Sequence, residues 1–394
     1  MKRRTAGTFL AALGLVSLLV APSARAGGAE FTINGSTQMF TLGVLMANRY
    51  QNVNQAVNIN TVPSTGQFGF SGACQSSFAI GMTDIYIQDS QLRQQTTCGD
   101  MVAIPVAVSA TPVVYNLPGA SFLALNPKAS CDPATKTCSS DGFTLLHPVH
   151  FSPQVLADIY MGKVKMWNDP EITGLNPGMS LPAQRIHAFN SAEPGSSGFV
   201  FNQWLCMSVP AWNKAVGVSL SPSWPTGYSV GTSSSGQMVQ AIKNTPYSLG
   251  FVGFDYAISN KLQAAALKNA SGVYLTPSLA GISIAIGDQL SLGMPGDFRR
   301  SFVTVPGKTA FNPADFEFFV THKSLVKWFE PNVRQAVKAF LQWSVSSTGG
   351  QQFIKDIELQ KIGNGTQTEL AHGFVPVPPA IQAASQLVVN GLQV

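Results

Sequence analysis

The sequence predicts an α/β protein built on mainly parallel sheets, with one lobe inserted between the two halves of another. Its 394 residues are too many for one small core, and 45% hydrophobic against 11% charged residues excludes a disordered chain. The 36 glycines and 25 prolines indicate many tight connections. Two apolar stretches, at residues 101–115 and 316–320, read as strands about a domain's length apart, which predicts the insertion.

The first 26 residues have the features of a secretory signal peptide. Lys2, Arg3 and Arg4 form a charged start, an apolar run follows at residues 9–20, and a small-residue cleavage site ends at residue 26. Four of the 24 basic residues lie in this segment, the fourth being Arg25, which leaves 20 basic against 19 acidic residues. We therefore expect a periplasmic or secreted product that does not bind nucleic acid, and no cysteine follows the cleavage site to carry a lipid anchor.

The five cysteines are expected to serve structure rather than metal binding. Cys131 and Cys138 bracket a short polar loop, and Cys74 with Cys98 would close a longer one. Cys206 lies in an apolar, helix-like stretch and is expected to be a buried free thiol. An exported chain can oxidise its thiols, and neither a C-x-x-C pair nor a neighbouring histidine supports a zinc site. Two disulfides are thus possible, with their connectivity open, and no metal or cofactor is expected.

The first 110 residues alternate between strands and helices. Strands are predicted at residues 31–34, 57–62 and 78–82, with a helix over residues 39–50 that Ser36 and Thr37 would cap. Pro63 opens a small-residue loop after the second strand, and Asp84 follows the third. This order predicts a parallel sheet whose ligand-binding loops lie at the carboxyl ends of its strands.

The later elements follow the same pattern. Helices are predicted at residues 155–161, 199–207 and 238–242, and a strand at residues 249–253. An amphipathic helix is predicted over residues 333–341.

Three stretches have the chemistry of an anion site. They are Gly35-Ser36-Thr37-Gln38, Ser64-Thr65-Gly66 and Gly195-Ser196-Ser197. Small-residue loops that open helices bring several backbone N–H groups together, and these groups can replace the hydration shell of an oxyanion. The alternative for the first stretch is simple helix capping.

A longer block joins the third stretch and carries a family resemblance. Residues 156–182 read LADIYMGKVKMWNDPEITGLNPGMSLP, and residues 193–201 read EPGSSGFVF. Together they resemble the substrate-binding proteins of bacterial phosphate ABC transporters. TPYSLGFV at residues 245–252 and the Asn312-Pro313 pair before residues 316–322 are similar to two further family segments.

That resemblance implies a two-lobed, type II periplasmic-binding-protein fold. Each lobe would be a mainly parallel sheet flanked by helices, and crossover strands would join the two. Residues 27–110 and 313–394 would form lobe I, and residues 111–312 would form lobe II.

The resemblance also implies the ligand contacts. Thr37 matches the family's ligand-binding threonine, Gln38 stands where a backbone N–H contacts ligand, and Ser64 matches a ligand-binding serine. Asp84 matches an aspartate that selects the ligand. An ionised carboxylate only accepts hydrogen bonds, so it favours an oxyanion that carries a proton and rejects sulfate.

The third stretch departs from the family pattern. Ser191 stands in place of the family's arginine and Glu193 in place of its aspartate, while Gly195, Ser196 and Ser197 replace S-G-T. The backbone donors can survive this change, but a fixed positive charge is lost. Lys163 or Lys165 could supply one if either lies near the site.

These features favour an exported solute-binding protein over an enzyme. The expected ligand is phosphate or a related protonated oxyanion, the expected partner is an ABC permease in the inner membrane, and the protein is expected to be a monomer. No nucleophile elbow or catalytic triad is recognisable. The alternative is a diverged binding protein that has lost tight phosphate binding, acts as a secreted or surface interaction protein, or binds another ligand.

Overall fold

The computed structural model describes residues 28–93, 96–118, 130–132, 137–140, 143–144, 148–195, 197–290, 293, 296–359 and 373–394. The expected signal peptide and Ser196 lie outside these residues.

Strands and helices alternate along most of the described chain. The strands are β1 (Ala29–Ser36), β2 (Val57–Ser64), β3 (Ile80–Thr83), β4 (Met101–Ala110), β5 (Val113–Asn116), β6 (Ser130–Asp132), β7 (Thr137–Ser140), β8 (Phe143–Thr144), β9 (His150–Phe151), β10 (His187–Ser191), β11 (Ser229–Thr232), β12 (Ser248–Phe251), β13 (Gln263–Ala264), β14 (Ala266–Lys268), β15 (Tyr274–Leu275) and β16 (Ala314–His322). The helices are α1 (Phe40–Val53), α2 (Gly66–Cys74), α3 (Asp89–Arg93), α4 (Pro153–Tyr160), α5 (Pro170–Thr173), α6 (Ser197–Ser208), α7 (Pro210–Ala215), α8 (Ser235–Asn244), α9 (Phe254–Ser259), α10 (Leu279–Leu290), α11 (Pro331–Ser344), α12 (Gly350–Leu359) and α13 (Pro379–Asn390), with a 3₁₀ helix at Thr96–Asp100.

The first sheet combines strands from distant parts of the chain. Its order is β2-β1-β3-β16-β4, and β16 runs antiparallel to both neighbours while the other four strands share one direction. The register pairs Ser36, at the end of β1, with Ser64, at the end of β2. The loops that follow β1, β2 and β3 therefore open at the same edge of the sheet.

The second sheet has the same plan. Its order is β11-β10-β12-β5-β13, and only β5 runs against its two neighbours in this sheet. The α6 helix follows β10, and α8 follows β11, so two helix N-termini lie after neighbouring parallel strands. This arrangement confirms the predicted α/β fold with parallel sheets.

The chain passes between the two sheets at Thr111 and Pro112. The Thr111 N–H donates to the Pro313 carbonyl at 3.1 Å, so the outgoing and returning segments lie side by side. The peptide bond between Asn312 and Pro313 is cis. The expectation of one continuous strand over residues 101–115 is wrong, because the chain leaves the first sheet at Ala110 and enters the second at β5.

Two buried apolar clusters stabilise the fold. One packs α1 and α11 against the first sheet and includes Phe31 and Phe340. The other extends from the second sheet to Phe316 of the first and contains the stacked pair Phe201 and Phe251, whose ring centroids are 4.2 Å apart. Burial of one such ring contributes about 1.5–3 kcal/mol. The apolar core therefore continues across the junction of the sheets.

The block at residues 156–182 and the cap residue that precedes it are structural. Ser152 caps α4 and Asp169 caps α5 through side-chain bonds to backbone N–H groups, each contributing about 1 kcal/mol. Trp167 is fully buried and donates its indole N–H to the Tyr247 carbonyl at 2.9 Å. These residues stabilise the surroundings of the second sheet.

The predicted cap of the first helix is wrong. The α1 helix begins at Phe40, and its N-cap residue, Met39, makes no side-chain capping bond. The Ser36 hydroxyl instead accepts from the Gln38 N–H at 3.1 Å. Ser36 therefore closes a tight turn before the helix and does not cap it.

The predicted loop after the second strand is shorter than expected. Pro63 and Ser64 belong to β2, and Thr65 caps α2 through its hydroxyl. Proline is tolerated there because β2 lies at the edge of the sheet.

One disulfide is present in the described part of the chain, between Cys74 and Cys98. The β6–β7 ladder places Cys131 opposite Cys138. Their side chains lie outside the described part, so a second disulfide remains a prediction. Cys206 is a buried free thiol. None of the helices within the described ranges is both long and apolar enough to cross a bilayer.

Candidate functional site

The candidate site lies where loops of the two sheets meet. Thr37 follows β1, Ser64 ends β2 and Asp84 follows β3, so these three predicted residues share one edge of the first sheet. Ser191 ends β10, and Glu193 follows it on the second sheet. Both halves of the site are therefore built from the carboxyl ends of parallel strands.

Asp84 is the buried acid at the centre of this region. Its side chain is 1% exposed, and neither carboxylate oxygen has a hydrogen-bond partner of good geometry among the described residues. Burial raises the pKa of Asp84 well above its ordinary value, and the charge of Glu193 raises it further, while its own backbone and the Ser36 hydroxyl lower it in part. A group of this kind gains most from a ligand that donates a hydrogen bond.

Two glycine-containing loops meet beside Asp84. A Cβ atom on Gly66 would lie 1.9 Å from the Gly195 carbonyl oxygen and 2.8 Å from Asp84 Oδ1. The Gln67 N–H donates to the Pro194 carbonyl at 3.3 Å, and Gly195 has a φ of 65°, in the region that favours glycine. The N-terminus of α2 is therefore in direct contact with the turn before α6.

Thr37 joins the two sheets through hydrogen bonds. Its hydroxyl oxygen lies 3.0 Å and 3.2 Å from the two carboxylate oxygens of Glu193. It also lies 3.1 Å from the Ser235 hydroxyl and 3.4 Å from the Ser235 backbone nitrogen. A hydroxyl has one proton, so when Thr37 donates to Glu193 it accepts from Ser235. The Tyr256 hydroxyl donates to the Thr37 carbonyl at 3.0 Å.

Gln38 and Ser64 lie at this edge, but their side chains form hydrogen bonds with other residues of the first sheet. The Gln38 side chain is 2% exposed and donates to Glu317 Oε1 at 3.0 Å. Its backbone N–H, which the resemblance assigned to the ligand, donates to Ser36 here. The Ser64 hydroxyl donates to the Asn34 side chain at 2.6 Å.

The second half of the predicted site is compact. The Ser191 hydroxyl accepts from the Glu193 N–H at 3.2 Å, and Gly198 packs against Ser191 so closely that an added Cβ would lie 2.9 Å away. Ser197 is buried at the first position of α6. Ser196, between these residues, lies outside the described part of the chain.

Three further buried acids lie around this junction between the loops of the two sheets, which we call the cleft. Asp255 at the start of α9, and Asp315 and Glu317 on β16, are each less than 5% exposed. Burial raises the pKa of Asp255 and of Asp315 to about 8, and it also raises the pKa of Glu317, which the charge of Asp84 raises further. No salt bridge of a described residue involves these three acids or Asp84.

The positive charge lost at Ser191 is not replaced by Lys163. Its ammonium group forms a salt bridge with Asp158 at 2.7 Å, and its side chain is 58% exposed. In the part of the chain that the structure describes, no group of three or more His, Cys, Asp or Glu residues has a geometry that could hold a metal ion. Among the described residues, Asp84, Asp255, Asp315 and Glu317 thus have neither a salt-bridge partner nor the geometry of a metal site.

Sequence reasoning missed several residues of this region. Ser235 lies in the run TSSSG at residues 232–236, which leads into α8, and small polar residues at the start of a helix are a recognisable signal for an anion-binding N-terminus. Asp255, Asp315 and Glu317 gave no such signal, because isolated acids in apolar segments have no distinctive spacing.

The fold and site define a two-lobed binding protein, and comparison with known families agrees. Residues 20–348 match the model of the PBP superfamily domain. The match covers most of the chain, so the protein belongs to the PBP superfamily.

Its relatives include proteins named for phosphate binding. The phosphate-binding protein PstS of Methanocaldococcus jannaschii is 28% identical over 339 residues, which cover 82% of this chain and 77% of that protein. The phosphate-binding protein PstS3 of Mycobacterium bovis strain BCG is 25% identical over 371 residues, 91% of this chain and 85% of that protein. The resemblance to phosphate ABC-transporter substrate-binding proteins is thus confirmed.

Solved structures support the same fold. The phosphate-binding protein of Stenotrophomonas maltophilia superimposes with a TM-score of 0.58 at 14% identity, covering 91% of this chain and 94% of that one. A human phosphate-binding apolipoprotein gives a TM-score of 0.62 at 14% identity, covering 91% of this chain and 93% of that one. The two-lobed α/β architecture is shared with both.

Proposed function

We propose that this protein captures inorganic phosphate, or a related oxyanion that carries a proton, between its two lobes. The observation that carries this proposal is Asp84, a buried carboxylate without a well-placed partner that lies where loops of both sheets meet. A carboxylate accepts a hydrogen bond from a protonated oxyanion and repels one that has no proton. Relatives named as phosphate-binding proteins support the same ligand.

In this proposal the lobes follow the crossover segments. Lobe I comprises residues 27–110 and 313–394, and lobe II comprises residues 111–312. Thr37, Gln38, Ser64 and Asp84 would face the ligand from lobe I. Ser191, Glu193, Gly195, Ser196 and Ser197 would face it from lobe II. Direct contacts such as Gln67 to Pro194 would form when the lobes close.

The protein would act outside the cytoplasm as the binding component of an uptake system. Residues 1–26 would direct export and be removed, and an ABC permease would receive the ligand from the closed protein. The mature chain would be a monomeric carrier without a cofactor, and it would not catalyse a reaction.

Calorimetry on the mature protein tests this proposal. Co-purified ligand is removed by unfolding, dialysis and refolding, and the refolded protein is titrated with phosphate, arsenate and sulfate. We expect heat of binding with phosphate and arsenate but not with sulfate. The absence of binding heat with phosphate at saturating concentration, in protein that has refolded, would rule out the assignment.

A second function is favoured by the substitutions near α6. With Ser191 in place of an arginine and the Thr37 hydroxyl bonded to Glu193, the protein could have lost tight phosphate binding and serve as a surface interaction protein or bind another ligand. A folded protein that binds none of the three anions in the same titrations would support this alternative.

A further inference from the structure

The Thr37 and Glu193 pair places a carboxylate where a bound anion would make its own contact. Thr37 Oγ1 lies within 3.2 Å of both carboxylate oxygens of Glu193, and Glu193 is 3% exposed. A phosphate that contacts Thr37 must therefore share the space with a buried carboxylate. Two negative groups in contact at a buried position repel each other strongly, because water does not screen them.

Asp84 presents a second carboxylate to the same region. Its Oδ1 would lie 2.8 Å from a Cβ on Gly66, at the contact between Gly66 and Gly195, and both its oxygens lack a well-placed partner. Asp84 and Glu193 also interact electrostatically, since the charge of Glu193 raises the pKa of Asp84. A ligand in this cleft thus meets two carboxylates from two different sheets.

We propose that Glu193 is a specificity-determining residue which, together with Asp84, selects the dihydrogen form of phosphate and couples its binding to proton uptake. This inference rests on the proposed function. Dihydrogen phosphate has two hydroxyl donors and a single negative charge, so it can donate one hydrogen bond to each carboxylate. Monohydrogen phosphate has one donor and twice the charge, so it leaves one carboxylate facing an ionised oxygen.

The groups that surround the two carboxylates strengthen this selection. Asp315 and Glu317 approach Asp84 from β16, Tyr256 of α9 approaches Glu193, and Asp255 of α9 interacts with Glu317 and Tyr256. These groups are acidic or phenolic, and the neighbouring hydroxyls of Ser36 and Ser235 are neutral. Each added negative charge makes a further proton easier to bind, so the occupied site holds more protons than the empty protein and free phosphate hold together.

The test is calorimetry of phosphate binding across the range from about pH 5.5 to pH 8.5, which lies above the unperturbed pKa of a carboxyl group. Each titration is run in two buffers of different ionisation enthalpy, so that the number of protons taken up is measured directly. For the wild-type protein we expect at least tenfold tighter binding at the acidic end and net proton uptake at neutral pH, since affinity follows proton uptake by linkage.

Glu193→Gln is the decisive variant. The glutamine amide keeps the size and an acceptor for Thr37 but removes the charge, so binding at about pH 8.5 should strengthen, and proton uptake at neutral pH should decrease. Glu330→Gln, which changes an exposed acid at the start of α11, is the matched control and should behave as wild type. Circular dichroism and thermal unfolding establish that each variant is folded.

The outcomes separate this inference from the function on which it rests. Phosphate binding with the same pH dependence and proton count in wild type and Glu193→Gln would overturn the role of Glu193 and leave phosphate capture standing. Binding that tightens towards alkaline pH in the wild-type protein would overturn the selection of the dihydrogen form. A folded wild-type protein that binds no phosphate at any pH would overturn the proposed function itself.

Discussion

The hydroxyl of Thr37 donates to the carboxylate of Glu193, with oxygen to oxygen distances of 3.0 Å and 3.2 Å. Thr37 follows β1 of the first sheet and Glu193 follows β10 of the second, so this bond links the two sheets across the cleft. The hydroxyl and the backbone N–H of Ser235, at the start of α8, lie within hydrogen-bond distance of the same Thr37 hydroxyl oxygen. A ligand that enters the cleft therefore competes with an internal carboxylate for the Thr37 proton.

Asp84→Asn should weaken phosphate binding and weaken the rejection of sulfate. The amide keeps one acceptor but loses the charge, and a hydrogen bond to a charged group contributes about 1.5–3 kcal/mol, so a loss of roughly tenfold to a hundredfold is expected. Isothermal titration with both anions checks this. Unchanged affinity for phosphate would show that Asp84 does not contact the ligand. Thermal unfolding of the empty variant should show no loss of stability, because a buried carboxyl without a well-placed partner is replaced by a neutral amide of the same shape.

Gly66→Ala should prevent the close approach of α2 and the turn before α6. The added methyl would lie 1.9 Å from the Gly195 carbonyl, so one of the two loops must move away. We expect at least a tenfold loss of phosphate affinity with a small change in thermal stability, since the contact joins a loop of the first sheet to a loop of the second and involves no apolar side chain. Gly287→Ala, where an added Cβ meets nothing within 4 Å, is the control. Equal affinity in both variants would contradict a closed, ligand-contacting role for this junction.

The empty protein should become less stable as the pH rises from about 4 to 8. Burial raises the pKa of Asp255 from 3.8 to about 8, so in this range the folded state keeps a proton that the unfolded state has released. The free energy of unfolding then falls with rising pH, by up to about 1.4 kcal/mol per pH unit for each such proton. Asp255→Asn should give a shallower decline in urea unfolding measured across this range. An unchanged slope would show that Asp255 does not keep its proton on folding.

Ser191→Arg should strengthen phosphate binding most at alkaline pH. A guanidinium near Glu193 would neutralise its charge and donate to the oxyanion, so we expect at least a tenfold gain at about pH 8.5 and a weaker pH dependence. Ser191 is 6% exposed and packs against Gly198, so circular dichroism must first show that the variant folds. A folded variant with wild-type affinity at every pH would indicate that the cleft has diverged beyond this one position.

The sequence allowed the fold to be predicted because local chemistry and fold agree over residues 152–182, which contain the family-like block. Ser152 and Asp169 form the helix caps that their residue types favour, and Trp167 is a buried anchor. The placement of Asp84 after a short apolar strand was also predictable. Local rules failed at Thr37, which looked like a helix cap, because its hydroxyl bonds to residues 156 and 198 positions away.

The acidic character of the cleft could not be predicted for the same reason. Asp255, Asp315 and Glu317 come from α9 and β16, far from Asp84 in sequence. The pairing of β16 with β3 brings Asp315 and Glu317 to Asp84, and tertiary packing brings Asp255 of α9 to Glu317. The missing arginine at Ser191 was visible in the sequence. Whether another cation replaced it depended on the position of Lys163, whose salt bridge with Asp158 is a tertiary contact with no distinctive sequence signal.

Equilibrium dialysis of the ligand-stripped mature protein against radiolabelled phosphate, with sulfate or arsenate as competitor, tests the central claim most directly. The protein should bind one phosphate per chain, arsenate should displace it, and a large excess of sulfate should not. Displacement by sulfate as readily as by arsenate, or no retention of phosphate by the folded protein, would contradict a site that recognises the proton on its oxyanion.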